Sequence, residues 1–137
     1  MKWRCSVKSS KAELLKARSC ALEVLQQWGI PSSLHFDFDL ILCELLANAA
    51  AHGNHWEPEK KVYLSMQWKP SRHTVLIFVA DEGRQPICED VETVPCSESG
   101  RGLAILTELA DRCRFGSGRV WIRKGVRHGE ENPGSGR

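Results

Sequence analysis

Apolar and polar positions alternate at the start of the chain. Trp3, Cys5 and Val7 stand against Arg4, Ser6 and Lys8, a period of two that predicts a half-buried strand over 3–9. Ser10 and Glu13 then have capping-box spacing, and Leu14, Ala17, Ala21, Leu25 and Trp28 recur at helical intervals. Gly29 followed by Pro31 ends this first helix. A second helix is predicted from about 33 to 52, with Phe38, Leu42, Leu45, Leu46 and Ala49 as its buried stripe. Val62, Leu64, Met66 and Trp68 alternate with Tyr63, Ser65, Gln67 and Lys69, which predicts a second strand, and residues 70–73 turn the chain. Residues 74–80 are almost continuously apolar and predict a central strand covered on both faces, or nearly so.

The pattern breaks over 82–100. Gly83, Pro86, Pro95, Ser97, Ser99 and Gly100 are interspersed there with Glu82, Glu89, Asp90, Glu92 and Glu98. A loop of that length inside a compact domain is usually functional, often a lid. From Arg101 a helical pattern returns through Leu103, Leu106 and Ala110, and 113–115 with 119–123 predict a closing hairpin around Gly116-Ser117-Gly118. The Gly-rich polar residues 125–137 are expected to form a disordered tail, leaving 1–124 as the domain. Strands separated by helices, plus one hairpin, predict an α/β protein of the α+β kind. The expected architecture is a two-layer sandwich, its sheet mixed but mainly antiparallel, with the helices on one face.

Composition narrows the function classes. A chain of 137 residues is about one domain, and its 42% hydrophobic and 26% charged residues are those of an ordinary soluble protein. A net charge of +2 is too small to argue for direct nucleic-acid or membrane binding. No stretch approaches the roughly 20 apolar residues of a membrane span, and the first residues lack the apolar core of a signal peptide, so a cytoplasmic location is expected. Cys5, Cys20, Cys43, Cys88, Cys96 and Cys113 are scattered, without a Cys-x-x-Cys pair or a His at ligand spacing. They read as reduced structural thiols, Cys20 and Cys43 as small buried hydrophobes.

Three groups of residues carry candidate chemistry. Glu44, Asn48 and His52 recur at i, i+4 and i+8, about 40° apart at one edge of the second helix's apolar stripe. A carboxylate and an amide buried idle there are costly, although a plain polar shoulder is the commoner meaning of that spacing. Asp81-Glu82-Gly83 follows the central strand, where an Asp can accept a hydrogen bond in a cleft and a Gly can turn or admit a close approach. Ordinary turn chemistry explains Asp-x-Gly equally well. Ser99-Gly100-Arg101-Gly102-Leu103 opens the third helix, with free N–H groups and a dipole worth about 0.5–1 kcal/mol to a phosphate, or else a flexible cap. It is neither a Walker A loop nor a Rossmann fingerprint, whose third glycine is replaced by Ile105.

Taken in order, these groups resemble the GHKL (Bergerat-fold) ATPases. More closely, Glu44-Leu45-Leu46-Ala47-Asn48-Ala49-Ala50-Ala51-His52-Gly53 is similar to the N box of the anti-sigma factor serine/threonine-protein kinases. Val79-Ala80-Asp81-Glu82-Gly83 and Ser99-Gly100-Arg101-Gly102-Leu103-Ala104-Ile105 are similar to their two glycine boxes, and the likeness spans about 5–124. The resemblance implies ATP and Mg²⁺ as ligands, with Asn48 on the metal and Glu44 as the base that receives a Ser or Thr hydroxyl proton. It further implies Asp81 on the adenine amino group, Gly83 giving the base room, 84–100 as the lid, and Gly100, Arg101, Gly102 and Leu103 beside the phosphates. Arg101 meets the γ-phosphate or is simply solvated; His52 supports the site or caps the helix. The implied partners are a STAS-type anti-sigma-factor antagonist, which would be phosphorylated, and a sigma factor, which would be sequestered. A homodimer is also implied. Gln85 departs from the family's Asp-x-Gly-x-Gly pattern. An alternative is a non-catalytic, nucleotide-dependent protein-binding module of the same fold.

Overall fold

A computed structural model describes residues 1–83 and 101–126, the residues 101–103 through their backbone alone. The alternating segments become strands β1 (Lys2–Lys8), β2 (Lys61–Lys69) and β3 (Thr74–Asp81), and the closing hairpin becomes β4 (Arg112–Gly116) and β5 (Arg119–Gly125). They form one sheet in the order β1-β2-β3-β5-β4, with every neighbouring pair antiparallel. The mixed sheet left open by the sequence is therefore fully antiparallel among the described strands. Helices α1 (Lys11–Gln27), α2 (His35–Asn48) and α3 (Arg101–Leu109) bury their apolar stripes on one face of it. Leu25, Phe38, Leu42, Leu64, Met66 and Ile77 are among the fully buried side chains of that single core.

The central strand departs from expectation. β3 buries Val75, Ile77 and Val79, whereas Thr74, Leu76, Phe78 and Ala80 are only half-buried. An antiparallel sheet can leave one face to solvent, so the apolar run 74–80 does not require a second helical layer.

Helix ends follow their local chemistry. Ser10 Oγ accepts the Glu13 N–H at 3.3 Å, but the Ser10 N–H donates to Lys8 O, so only half of the capping box forms. At the other end of α1, Gly29 (φ +85°) donates to Gln26 O and Ile30 to Leu25 O, a Schellman closure with Ile30 and Leu25 both buried. Buried Lys124 ties β5 to two helices. Its Nζ donates to Leu109 O at 2.7 Å, at the C-terminal end of α3, and lies 3.6 Å from Asp37 of α2.

The folded part passes the boundary expected at 124. Gly125 pairs with Thr74, and Val126 is fully buried with its N–H on His73 O. The expected lid over 84–100 and tail residues 127–137 lie outside the described residues. Cys5, Cys20, Cys43 and Cys113 are free thiols. Cys20 is exposed rather than buried, because it sits beside the Ala17–Ala21 seam of α1 and not on it, while Cys43 is half-buried. Cys88 and Cys96 lie outside the described residues. Among the described residues no helix is long and apolar enough to cross a membrane.

Candidate functional site

The second helix does not continue as an α-helix to residue 52. It ends at Asn48 and widens into a π-helical turn, Ala49–Gly53, closed by the Asn54 N–H on Ala49 O at 2.9 Å. Glu44 and Asn48 keep their one-turn stacking, but the wide turn ends the regular stripe before His52. His55 and Trp56 follow with left-handed backbone (φ 51° and 56°), and the Trp56 N–H reaches Ala50 O at 2.7 Å. Such conformations cost non-glycine residues about 1–2 kcal/mol each and persist only where the surroundings enforce them.

Asn54 enforces them. It is fully buried, and its amide donates to Ser9 Oγ at 2.8 Å and Lys61 O at 2.9 Å while its oxygen accepts the Glu82 N–H at 2.9 Å. Ser9 Oγ in turn donates to Lys60 O at 2.7 Å. One side chain thus pins the end of the π turn to β1, β2 and the segment leaving β3. Asn54→Ala leaves those buried partners unmatched and is expected to cost about 3 kcal/mol; denaturant titration of the two proteins checks this.

Asp81 ends β3 inside a ring of glycines. Its Oδ1 accepts the Gly83 N–H at 2.9 Å, and its own N–H donates to Gly118 O at 3.0 Å. A Cβ on Gly53 would stand 2.0 Å from Asp81 Oδ2, and one on Gly118 (φ +69°) 3.1 Å from Oδ1. A Cβ on Gly83 would stand 2.0 Å from the Gly53 carbonyl oxygen. Gly53 and Gly83, from separate sequence groups, are therefore small because they touch across the carboxylate. Ordinary turn chemistry accounts for one Asp81 oxygen and leaves the other. Burial pushes the Asp81 carboxyl above its usual range, against the Gly83 N–H and the nearby His55 and Lys60, which pull it down.

These elements enclose a cavity of about 400 Å³. Leu45, Ala49, Val79 and Val120 give it apolar walls; Asn48, His52, His55, Asp81 and Arg119 supply polar groups, and Gly53, Gly116 and Gly118 leave it open space. The volume lies within the range of about 300–1,000 Å³ usual for small-molecule sites. Asn48 is half-buried, and among the described residues its side chain has no hydrogen-bond partner. The histidine kinase-like ATPase domain family matches residues 7–124. The chain belongs to that family. The family brings ATP binding with it.

The fold is also similar to a solved structure, that of the RsbU and RsbW domains of Rv1364c from Mycobacterium tuberculosis. The TM-score is 0.65 at 18% identity, over 93% of this chain and 32% of that one, so the chain spans about a third of that structure's length. No curated protein matches the chain.

Of the residues singled out from the sequence, Asn48 and Asp81 line the cavity together, and Gly83 adjoins Asp81. Glu44 lies one turn before Asn48, half-buried and outside the cavity lining. Arg101, Gly102 and Leu103 form the first turn of α3, and Gly100 lies outside the described residues. Sequence reasoning missed Asn54, His55, Gly118 and Arg119. Gly118 carried a signal only as a hairpin turn, and the other three carried none.

Proposed function

We propose that this domain is a serine/threonine protein kinase that uses MgATP and acts as an anti-sigma regulatory factor in a partner switch. The observation that carries the reading is the Asp81 carboxylate, anchored on one oxygen by Gly83, in a cavity of about 400 Å³ that also holds the Asn48 amide, unpartnered among the described residues. The apolar walls suit a planar base, and the free Asp81 acceptor suits the exocyclic amino group that marks adenine. Asn48 offers an oxygen of the hard kind that Mg²⁺ takes, and one protein ligand is enough for an ion that keeps waters and binds phosphate. When bound, the metal neutralises charge on the transferring phosphoryl group. Glu44 is the base: it takes the proton of an incoming Ser or Thr hydroxyl as that oxygen bonds to the γ-phosphorus. The bond to the β–γ bridging oxygen breaks, and ADP leaves. In this reading the phosphates meet the first turn of α3, at Arg101, Gly102 and Leu103, whose N–H groups an α-helix leaves without a partner, and Gly100 joins them on the motif resemblance. The phosphorylated partner is a STAS-type anti-sigma-factor antagonist and the sequestered one a sigma factor, on the motif resemblance alone.

Calorimetry with MgATP tests the site. Wild type is expected to bind, and Asn48→Ala to weaken MgATP binding about tenfold, or about 1.4 kcal/mol, without changing metal-free ATP binding. Failure of the wild type to bind at millimolar MgATP ends the reading. Glu44→Ala is expected to slow transfer to an antagonist about a hundredfold with ATP affinity unchanged, measured by radiolabelled phosphate incorporation. A non-catalytic nucleotide-dependent binding module is the second reading, favoured by Glu44 lying outside the cavity lining. Under it wild type and Glu44→Ala alike transfer nothing.

A further inference from the structure

Among the described residues nothing covers the sheet face turned away from the helices, and that face has a distinct charge pattern. Antiparallel register brings Leu76, Phe78 and Trp121 together at its centre: Phe78 stands opposite Trp121, and their rings lie 5.1 Å apart, tilted by 41°. Trp121 is 42% exposed. At one edge β1 sets out Lys2, Arg4 and Lys8, all exposed; toward the other edge stand Arg112, Arg114 and Arg123, also exposed. No strand carries an Asp or Glu at an outward position of this face. Two carboxylates lie beside it among the described residues. Glu82, just beyond β3, is occupied by the Tyr63 hydroxyl at 2.5 Å and the Lys61 N–H at 3.1 Å, and Asp111, just before β4, by the Gly125 N–H at 2.8 Å. Among the described residues none of those six cations has a carboxylate in ion-pair range. Two grooves run over the face, of about 600 Å³ beside Trp121 and about 570 Å³ beside Arg4 and Tyr63.

A net charge of only +2 therefore hides a strongly segregated surface. We infer that this open sheet face docks an acidic amphipathic helix of a partner protein, with an apolar stripe on Leu76, Phe78 and Trp121 and carboxylates against the flanking cations. The inference stands apart from the nucleotide site, which lies on the helical side of the sheet.

Four considerations select this occupant. The apolar centre is surface that a further layer would remove from water, and with all its inner backbone groups paired this face offers side chains rather than a ladder edge. Five strands spaced by about 4.8 Å put the flanking cations roughly 19 Å apart, room for a helix of about 10–12 Å diameter between them. An exposed Trp ringed by Arg has the composition of an interface hot spot. A second copy of this chain meets like charge with like charge. A nucleic-acid strand fits less well: its bases need open ring faces, but Phe78 and Trp121 pack on each other, and Glu82 puts a carboxylate beside the face.

The test titrates the ¹⁵N-labelled full chain with a short helical peptide bearing Leu at i, i+3, i+4 and i+7 and Glu on both flanks. Amide shifts are expected along β3 and β5, at Phe78, Trp121 and Arg123, with affinity that falls as salt rises. Trp121→Ala should weaken binding about 30-fold and Arg114→Glu with Arg123→Glu at least as much. ATP affinity stays at the wild-type value in both variants. The charge-reversal variant, in exposed positions, carries the test if Trp121→Ala fails to fold. No shifts at about 1 mM peptide, equal binding of a twin peptide with Lys in place of Glu, or loss of neither affinity in the variants overturns the inference. Tighter binding of oligo-deoxythymidine than of the peptide assigns the face to nucleic acid instead. A dimer in sedimentation that Arg114→Glu dissociates assigns it to a second copy.

Discussion

An Asp81→Asn protein is expected to lose ATP affinity by about a thousandfold while its thermal stability holds or rises. A site built around one buried polar contact discriminates sharply when that contact is reversed. In the variant the amide oxygen keeps the Gly83 N–H, as Asp81 Oδ1 does at 2.9 Å, so the nitrogen takes the place of the free oxygen. On the proposed reading a donor then faces the adenine amino group, donor against donor. Stability moves the other way, because burial holds the Asp81 carboxyl above its usual range. A raised acid pKa means that the folded state binds the proton more tightly than the unfolded one. Its contribution is fully present below the unfolded value, is lost as pH rises through the folded value, and stays lost at neutral pH. Asn, uncharged throughout, carries no such loss. The melting temperatures of the two proteins should therefore approach each other on acidification and separate toward neutral pH. Nucleotide affinity of the wild type should fall on the acid side at a pH above the ordinary carboxylate range. Calorimetry and thermal melts over pH check both, and a large loss of stability in Asp81→Asn would mean that the carboxylate is structural.

Gly83→Ala is expected to cost about 2–4 kcal/mol of stability and to reduce ATP affinity with it, since overpacking against backbone is among the larger single-residue effects. The new Cβ would stand 2.0 Å from the Gly53 carbonyl oxygen, a backbone atom that cannot swing aside. Gly53→Ala should behave differently. Its Cβ meets the Asp81 carboxylate, so the side chain gives way, and affinity falls more than stability does. Denaturant titration and calorimetry on the pair separate the two effects; equal stability losses would contradict the contact assigned to Gly53.

The strands and the helix seams were legible because burial is one-sided, and one-sided burial prints its period on the chain. Trp3, Cys5 and Val7, or Val62 through Trp68, alternate for that reason, and Leu14, Ala17, Ala21 and Leu25 are the seam of α1. The run 74–80 misled about the second face because Leu76 and Phe78 are apolar yet only half-buried; period alone does not tell a covered face from a sticky one. In the site, the spacing of Asn48 and Asp81 alone fits a polar helix shoulder and a turn equally well; the ordered motif resemblance singled them out, and both line one cavity. Asn54 was not, since a fully buried Asn after His-Gly has the composition of any loop. The π turn was also hidden: Ala49-Ala50-Ala51 favours a continued α-helix, and the wider turn wins only through the long-range bonds of Asn54.

That turn makes the domain sensitive to a count rather than to a composition. A π turn is an α-helix holding one residue more than its path requires. Removing Ala51 would let the Asn54 N–H reach Ala49 O as an ordinary α turn, with the helix content and the apolar stripe of α2 almost unchanged. Adding a residue has no such outlet. It would carry Gly53 off the Asp81 carboxylate and Asn54 off Ser9, Lys61 and Glu82 together. An insertion at 49–51 is thus expected to cost this fold more than a deletion or the exchange of one alanine for another small residue.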